Sequence, residues 1–203
     1  QEGLDTAEHD MLRKKVSRVA DLVVSLGNVH MKNNIMREAQ ELFYEKDFLE
    51  KLDANPYLLH FTNGIFDFKE GQFRKGKPED YISLSTKHAY IKFNKKNKKH
   101  KLQQKEINNF FEKLFTDEEL RRYMWEHLSS ALIGTNENET FNIYNGVGRN
   151  GKSKLVDLMT KVLGELKGVV PITILTRKRG ESGKASPELA RLRGIRYAVM
   201  QEP

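Results

Sequence analysis

The residues best suited to chemistry lie in one glycine-rich segment, Gly146-Val-Gly-Arg-Asn-Gly-Lys-Ser153. The segment matches the pattern G-x-x-x-x-G-K-[ST] at every specified position. Glycines here let backbone N–H groups converge on a polyphosphate, because no side chain stands in the way. Lys152 is expected to reach the β- and γ-phosphates, and the Ser153 hydroxyl is expected to bind the magnesium ion that bridges them. The predicted site for ATP and Mg²⁺ consists of Gly146, Val147, Gly148, Arg149, Asn150, Gly151, Lys152 and Ser153.

The flanking pattern supports this interpretation. Residues 140–144 are typical of a strand that leads into the loop, and residues 154–163 are typical of a helix that follows it. A helix that begins near Gly151 would add the partial positive charge of its N-terminus to the site. The alternative is a Gly/Asn-rich turn with an incidental lysine, and the strand–loop–helix order disfavours it.

A phosphate loop also needs a carboxylate that holds magnesium or orients the attacking water. The apolar residues 195–200 predict a strand, and this strand ends in Gln201-Glu202. Glu202 is therefore the candidate for a second catalytic and metal-binding residue beside Lys152 and Ser153. Many such ATPases carry two acids at this place, and here Gln201 replaces one of them. Glu202 could bind the metal through water, activate water, or do both.

The N-terminal part of the chain is predicted to be mainly helical. Leu12, Val16, Val19, Val23 and Leu26 recur at spacings of three and four, as on one face of a helix. A second helix follows through residue 42, and a short third one ends before Pro56. Residues 57–61, 65–68 and 72–73 predict a small β meander, because Asn63-Gly64 and Glu70-Gly71 are tight-turn signals. Two further strands are expected at 81–84 and 89–93.

The remainder predicts a helical connection followed by an α/β sheet. Helices are expected at 102–115 and 117–133, with Thr116 and Glu119 as a capping box for the second. From residue 140 onward strand, loop and helix alternate, which is typical of a parallel sheet and includes a second strand at 169–175. The expected domains are residues 1–101, a helical connector at 102–136, and the N-terminal half of a phosphate-loop domain at 137–203. The fold class is α/β.

The charge of the chain indicates a polyanionic partner. The net charge is +7 and 31% of residues are charged. This composition fits either a protein that binds nucleic acid or a soluble protein with a lysine-rich surface. The run at 92–101 holds six lysines, and the loop 176–184 is also basic. Both are expected to bind DNA phosphates in a salt-sensitive manner, although a solvated linker would have the same composition. The absence of cysteine excludes disulfides and thiolate metal sites, and no apolar run predicts a membrane span.

Four segments together resemble a known family. The loop with Asn145 before it resembles the Walker A motif of superfamily 3 helicases, in particular the primase-helicases of poxviruses and other large nucleocytoplasmic DNA viruses, with phage and plasmid relatives. Asn63-Gly-Ile-Phe-Asp67 with Pro78-Glu-Asp-Tyr81 resembles the small domain before their ATPase, and Leu128-Ser-Ser-Ala-Leu-Ile-Gly134 resembles the helix leading into it. Residues 186–194 with Val199-Met-Gln-Glu-Pro203 resemble the Walker B region.

The resemblance implies an ATP-driven DNA helicase with an AAA+-like core that assembles as a ring, usually a hexamer, around DNA. It assigns Gly146, Asn150, Gly151, Lys152, Ser153 and Glu202 to the nucleotide site. In the family, a primase module precedes this region, and a sensor asparagine, an arginine finger and a DNA-contacting hairpin follow Walker B. We therefore expect a piece of a longer viral or phage replication protein that is incomplete for turnover by itself.

Two other classes of function stay open at this point. A phosphate-loop kinase or nucleotide-binding switch would need a basic lid, which Arg177, Lys178 and Arg179 could supply. An inert DNA-binding or assembly module would keep the loop without turnover. DNA-stimulated ATP hydrolysis would separate the helicase from both alternatives.

Overall fold

The structure, a computed structural model, describes residues 2–137, 139–176 and 187–200, and for residues 2–6 and 187 it describes the backbone alone. The chain divides into two compact units, Gln1–Phe48 and Leu49–Pro203, which we call unit 1 and unit 2. The mixed α/β class is confirmed, because helices accompany an antiparallel meander and a parallel strand pair. The predicted division into domains at residues 101 and 136 stays a prediction.

Unit 1 consists of two helices, α1 at Glu2–Gly27 and α2 at Val29–Leu42, as the apolar spacing predicts. The Asn28 side chain accepts a hydrogen bond from the His30 N–H at 2.9 Å and so satisfies a free donor at the start of α2. The apolar stripe of α1 is exposed, and Val16 for example is 68% exposed. Within the described part of the chain, no helix combines the length and the apolar composition that crossing a membrane requires.

The predicted meander is confirmed in unit 2. A short helix, α3 at Phe48–Lys51, lies at the unit boundary. The strands β1, β2 and β3 pair antiparallel in that order, at Leu58–Phe61, Gly64–Asp67 and Gln72–Arg74. The Arg74 guanidinium donates to both carboxylate oxygens of Asp80 at 2.8 and 2.9 Å, which holds the next turn against β3. This hydrogen-bonded pair lowers the pKa of the Asp80 carboxyl.

The prediction of strands at 81–84 and 89–93 is wrong. Residues 81–93 contain no strand. The residues between the two predicted strands bond to the end of β1 and the residue after it, from Thr86 N–H to His60 O and from Thr62 N–H to His88 O, both at 3.0 Å. Lys87 between them has φ +64, which interrupts an extended run.

The helices α4 and α5 follow at Lys98–Leu114 and Glu118–Ser130. Both are confirmed, but α4 begins four residues before the predicted position, inside the lysine run. The predicted cap of α5 at Thr116 is wrong, because the Asp117 carboxylate accepts the Leu120 N–H at 2.7 Å.

The C-terminal part holds the predicted parallel pair of strands. α6 at Lys152–Leu163 is followed by β4 at Lys167–Val169, and β4 pairs parallel with β5 at Tyr197–Val199. Two short helices, α7 at Thr173–Thr176 and α8 at Pro187–Ala190, lie between them in the chain. The strand expected at 169–175 is therefore shorter and earlier than predicted. The chain turns away after Val170, and Pro171 lacks the N–H that a ladder would need.

The prediction of a strand at 140–144, before the loop, is wrong. The described residues 139–146 have no regular secondary structure and pair with no described strand. Phe141 and Ile143 are 65% and 79% exposed, so this segment is held by side chains of the alternate residues and not by a backbone ladder.

One apolar core holds unit 2 together. It joins residues from the meander, α4, α5, α6 and the turn before β4, namely Leu59, Phe61, Phe111, Met124, Leu128, Leu155, Met159, Leu163 and Leu166. Phe111 is 1% exposed, and its ring stacks on Trp125 with centroids 4.0 Å apart. Trp125 thus packs on the core, as expected, although 37% of it is exposed.

We predict that Phe111→Ala lowers the free energy of unfolding by about 3–5 kcal/mol, because it leaves a cavity in this core. Urea denaturation followed by the fluorescence of Trp125, the single tryptophan of the chain, measures the effect. Leu102→Ala on the same helix is the control. Leu102 is 57% exposed, so its truncation should lower the free energy of unfolding much less. Equal losses in both variants would contradict the assignment of Phe111 to the core.

Candidate nucleotide-binding site

The glycine-rich segment forms a loop that runs directly into α6. Gly151 is the N-cap of α6 and has φ +87, a left-handed conformation that favours glycine. A Cβ atom at this position would also collide with the Leu114 side chain at the end of α4. The positive φ therefore favours glycine at the second specified position of the pattern, and the Leu114 side chain would have to shift to admit any larger residue.

Lys152 closes the loop by internal hydrogen bonds. Its ammonium group donates to Gly146 O at 2.7 Å, to Val147 O at 3.3 Å and to Asn150 Oδ1 at 3.0 Å. All three acceptors belong to the loop, so the side chain contributes little to the core. The structure thus brings together the ends of the predicted segment around one cation.

The start of α6 is electropositive. The first turn contains no acidic residue, and the positive end of the helix macrodipole adds to Lys152. Ser153 is exposed in this turn. Val147 is 86% exposed, and Arg149 has φ +64 at the tip of the loop. A lysine, an exposed hydroxyl and the positive end of a helix dipole therefore lie at one place.

A hydrogen-bonded cluster fixes the segment that enters the loop. The Tyr144 hydroxyl lies 2.8 Å from Nε2 of His127 on α5 and also hydrogen-bonds to Tyr197 on β5. Tyr123, one turn before His127, stacks on the imidazole and donates to Asn142 Oδ1 at 3.1 Å. Side-chain bonds thus take the place that a strand ladder was expected to fill.

Burial dominates the electrostatics of this cluster. Burial, together with the bond to Tyr197, raises the pKa of the Tyr144 hydroxyl far above its ordinary value. Burial also raises the pKa of Tyr197 and lowers the pKa of His127. The three groups are therefore neutral at neutral pH, which suits a structural network and not acid–base chemistry.

The second half of the predicted site lies outside the described residues. This applies to Glu202, to Gln201 and to the basic residues Arg177, Lys178 and Arg179. The described β5 ends at Val199, three residues before Glu202. Within the described ranges no group of three or more His, Asp or Glu side chains could hold a metal ion, and the roles of Ser153 and Glu202 toward Mg²⁺ stay predictions.

Sequence reasoning missed the residues that support the loop. The partners of Tyr144 come from positions 17 residues before it and 53 residues after it, and Leu114 approaches Gly151 from another helix. No spacing pattern links such distant positions. The one available signal was the tyrosine itself, because a tyrosine in an apolar segment needs a partner for its hydroxyl.

Comparison with known proteins places this geometry in context. Residues 5–117 match the family described as D5 N terminal like. Putative helicase L207/L206 of Acanthamoeba polyphaga mimivirus is 40% identical over 185 residues, which are 91% of this chain and 19% of that protein. Putative helicase 121R of Invertebrate iridescent virus 3 is 32% identical over 202 residues, 99% of this chain and 21% of that protein. Putative primase C962R of African swine fever virus is 28% identical over 178 residues, 86% of this chain and 18% of that protein.

The resemblance to proteins of large DNA viruses is thereby confirmed at the level of the family. The chain spans about one fifth of the length of these relatives.

We predict that Tyr144→Phe lowers the free energy of unfolding by about 1–2 kcal/mol, because it removes two hydrogen bonds from a half-buried cluster. Tyr123→Phe is the control, since Tyr123 is 51% exposed and its hydroxyl has one partner, so its loss should be smaller. Urea denaturation of both variants checks the difference. If the two losses are equal, the cluster does not hold the entering segment.

Proposed function

This chain belongs to the D5 N terminal like family, and from that premise we propose that it forms part of an ATP-dependent DNA helicase of superfamily 3 that acts in viral or phage genome replication. The observation that carries the proposal is the loop Gly146–Ser153, which closes around Lys152 at the start of α6. The names of the relatives, helicase and primase, support a role in replication.

In the proposed site ATP binds with Mg²⁺ on the loop. The loop residues bind the polyphosphate through backbone N–H groups, and Lys152 exchanges its carbonyl contacts for the β- and γ-phosphates. Ser153 would hold Mg²⁺, and the ion would supply positive charge to the transferring phosphoryl group. Glu202 would complete the site by binding the metal through water or by activating the attacking water. Positioning and charge stabilisation supply most of the rate in such reactions.

The proposed substrate of the motor is DNA, and the proposed assembly is a ring, usually hexameric. The net charge of +7 supports a polyanionic partner. In such a ring a neighbouring subunit contributes an arginine to each site, and an arginine of this kind is worth roughly 10³–10⁵ in rate. Turnover is therefore a property that we propose for the full-length protein and not for these 203 residues alone.

We predict that Lys152→Ala abolishes ATP turnover in the full-length protein while the fold stays intact, because its described contacts all lie within the loop. Steady-state ATPase assays with and without DNA, with circular dichroism as the check on folding, measure this. Lys154→Ala is the matched control, since Lys154 is exposed and lies 3.8 Å from Asp157. Unchanged turnover in Lys152→Ala would remove the nucleotide-site assignment, and turnover that DNA does not stimulate would favour a kinase or a switch.

We predict that Glu202→Gln permits ATP binding but slows hydrolysis strongly, because the amide keeps the size of the side chain and removes the charge needed at magnesium or water. Equilibrium binding of a fluorescent ATP analogue and single-turnover hydrolysis separate the two effects. Glu112→Gln, an exposed position on α4, controls for the loss of one negative charge. Native hydrolysis by Glu202→Gln would assign the role to a different carboxylate.

A further inference from the structure

The lysine run begins an ordered surface at the start of α4, which we call the basic platform (residues 91–101). Its six lysines are Lys92, Lys95, Lys96, Lys98, Lys99 and Lys101. Residues 91–99 are all exposed, and α4 begins at Lys98 within the run. The run is therefore part of a turn and the start of a helix.

Two asparagines and a histidine build the turn. The Asn94 side chain accepts the Lys96 N–H at 2.8 Å, and the Asn97 side chain accepts the Lys99 N–H at 2.9 Å as the N-cap of α4. The Asn94 N–H donates to Nδ1 of His100 at 3.0 Å, which ties the turn to the helix. These local bonds hold the backbone that carries the lysines in one conformation.

An aromatic ring lies in the middle of the charged surface. Phe93 is 45% exposed, and one side of it stacks on the His100 ring, with centroids 5.8 Å apart and an angle of 30° between the planes. Ile91, two residues earlier, is 72% exposed. His100 supports Phe93 from one side, and the exposed part of the phenyl ring is available to another flat group.

The charges of the platform do not stabilise the fold. Among the described residues none of the six lysines forms an ion pair, and the first turn of α4 contains no acidic residue. Lysines at this end of a helix oppose the macrodipole and repel one another. Their concentration around an exposed aromatic ring therefore fits a ligand that is anionic and carries flat rings.

We propose that the basic platform is a binding site for single-stranded nucleic acid. The lysines neutralise consecutive phosphates, and a base stacks on the exposed part of the Phe93 ring supported by His100. Stacking requires an unpaired base, because the bases of a duplex already stack on one another, and it tolerates any sequence. The proposal names the chain's contact with the DNA partner of the proposed function, but it needs neither nucleotide nor ring assembly.

The lysines are tested through the salt dependence of binding. Fluorescence anisotropy of a labelled oligothymidylate, titrated with the 203-residue chain at several salt concentrations, gives the slope of log affinity against log salt. Replacing Lys95, Lys96, Lys98 and Lys99 with alanine should reduce the magnitude of this slope by roughly one to three units. Each phosphate contact on a single strand contributes about 0.7 units to the slope. A control variant loses the same charge in unit 1, at Lys14, Lys15, Lys32 and Lys46, and should keep the native slope. Equal slopes in the platform variant and the native chain would overturn the proposal.

The aromatic ring is tested separately from the charge. Phe93→Leu should weaken binding of the oligothymidylate by roughly 5- to 150-fold, the range that corresponds to loss of one stacked base, and should leave the salt slope unchanged. Phe93→Tyr keeps the ring and should keep native affinity, which excludes a general loss of fold. An abasic phosphodiester strand and a duplex should bind both Phe93 variants as they bind the native chain. Weakening of all ligands alike, or of none, would overturn the stacking site.

A lysine outside the platform controls for charge in the same titrations. Lys154→Ala should bind the single strand with native affinity, because Lys154 is an exposed residue of α6 and lies outside the proposed contact. If the platform does not bind DNA, the platform variant and Phe93→Leu will bind the single strand as the native chain does. If the proposed function is wrong, ATP turnover in the full-length protein will not depend on Lys152.

Discussion

The burial of one face of α6 is the interaction on which the position of the glycine-rich loop depends. Leu155, Met159 and Leu163 follow at spacings of four and are 3%, 4% and 0% exposed. They pack in the same core as Phe111 of α4 and as the meander. Because the loop runs directly into α6, packing on the far side of this helix sets where the loop lies. The polar contacts of Lys152 then shape the loop without adding to that core.

The opposite end of α6 is fixed by a close backbone approach. Gly164 has φ +57, and a Cβ atom there would collide with the backbone of Thr86, which is 2% exposed. The Glu165 carboxylate accepts the Ser85 N–H at 3.0 Å and pairs with Lys87 at 2.8 Å. The irregular segment after the meander thus packs against the end of α6 and bonds to it instead of forming a regular strand.

A half-buried guanidinium joins β5 to the meander. Arg196, next to the strand, donates to Leu132 O after α5 and to Leu58 O of β1. Burial lowers the pKa of Arg196 to about 10, so the group stays charged at neutral pH. Charge-assisted bonds to two carbonyls offset part of the cost of removing this cation from water. The meander therefore holds β5 in addition to its pairing with β4.

The local features of the chain were determined by the sequence alone. The glycine-rich loop, α1, α2, α6 and the meander depend on residues within a few positions of one another, such as glycines at turns and apolar side chains at helical spacing. The tertiary structure decided what holds the loop: Leu114 beside Gly151, the bonds of Tyr144 to His127 and Tyr197, and the stacking of Phe93 on His100 at the start of α4. It also replaced the strand expected at 140–144 by side-chain contacts. The physical reason is that a tight turn or a helix is stabilised by neighbours along the chain, whereas a strand partner, a hydroxyl partner or a packed ring comes from whichever residue the fold brings near.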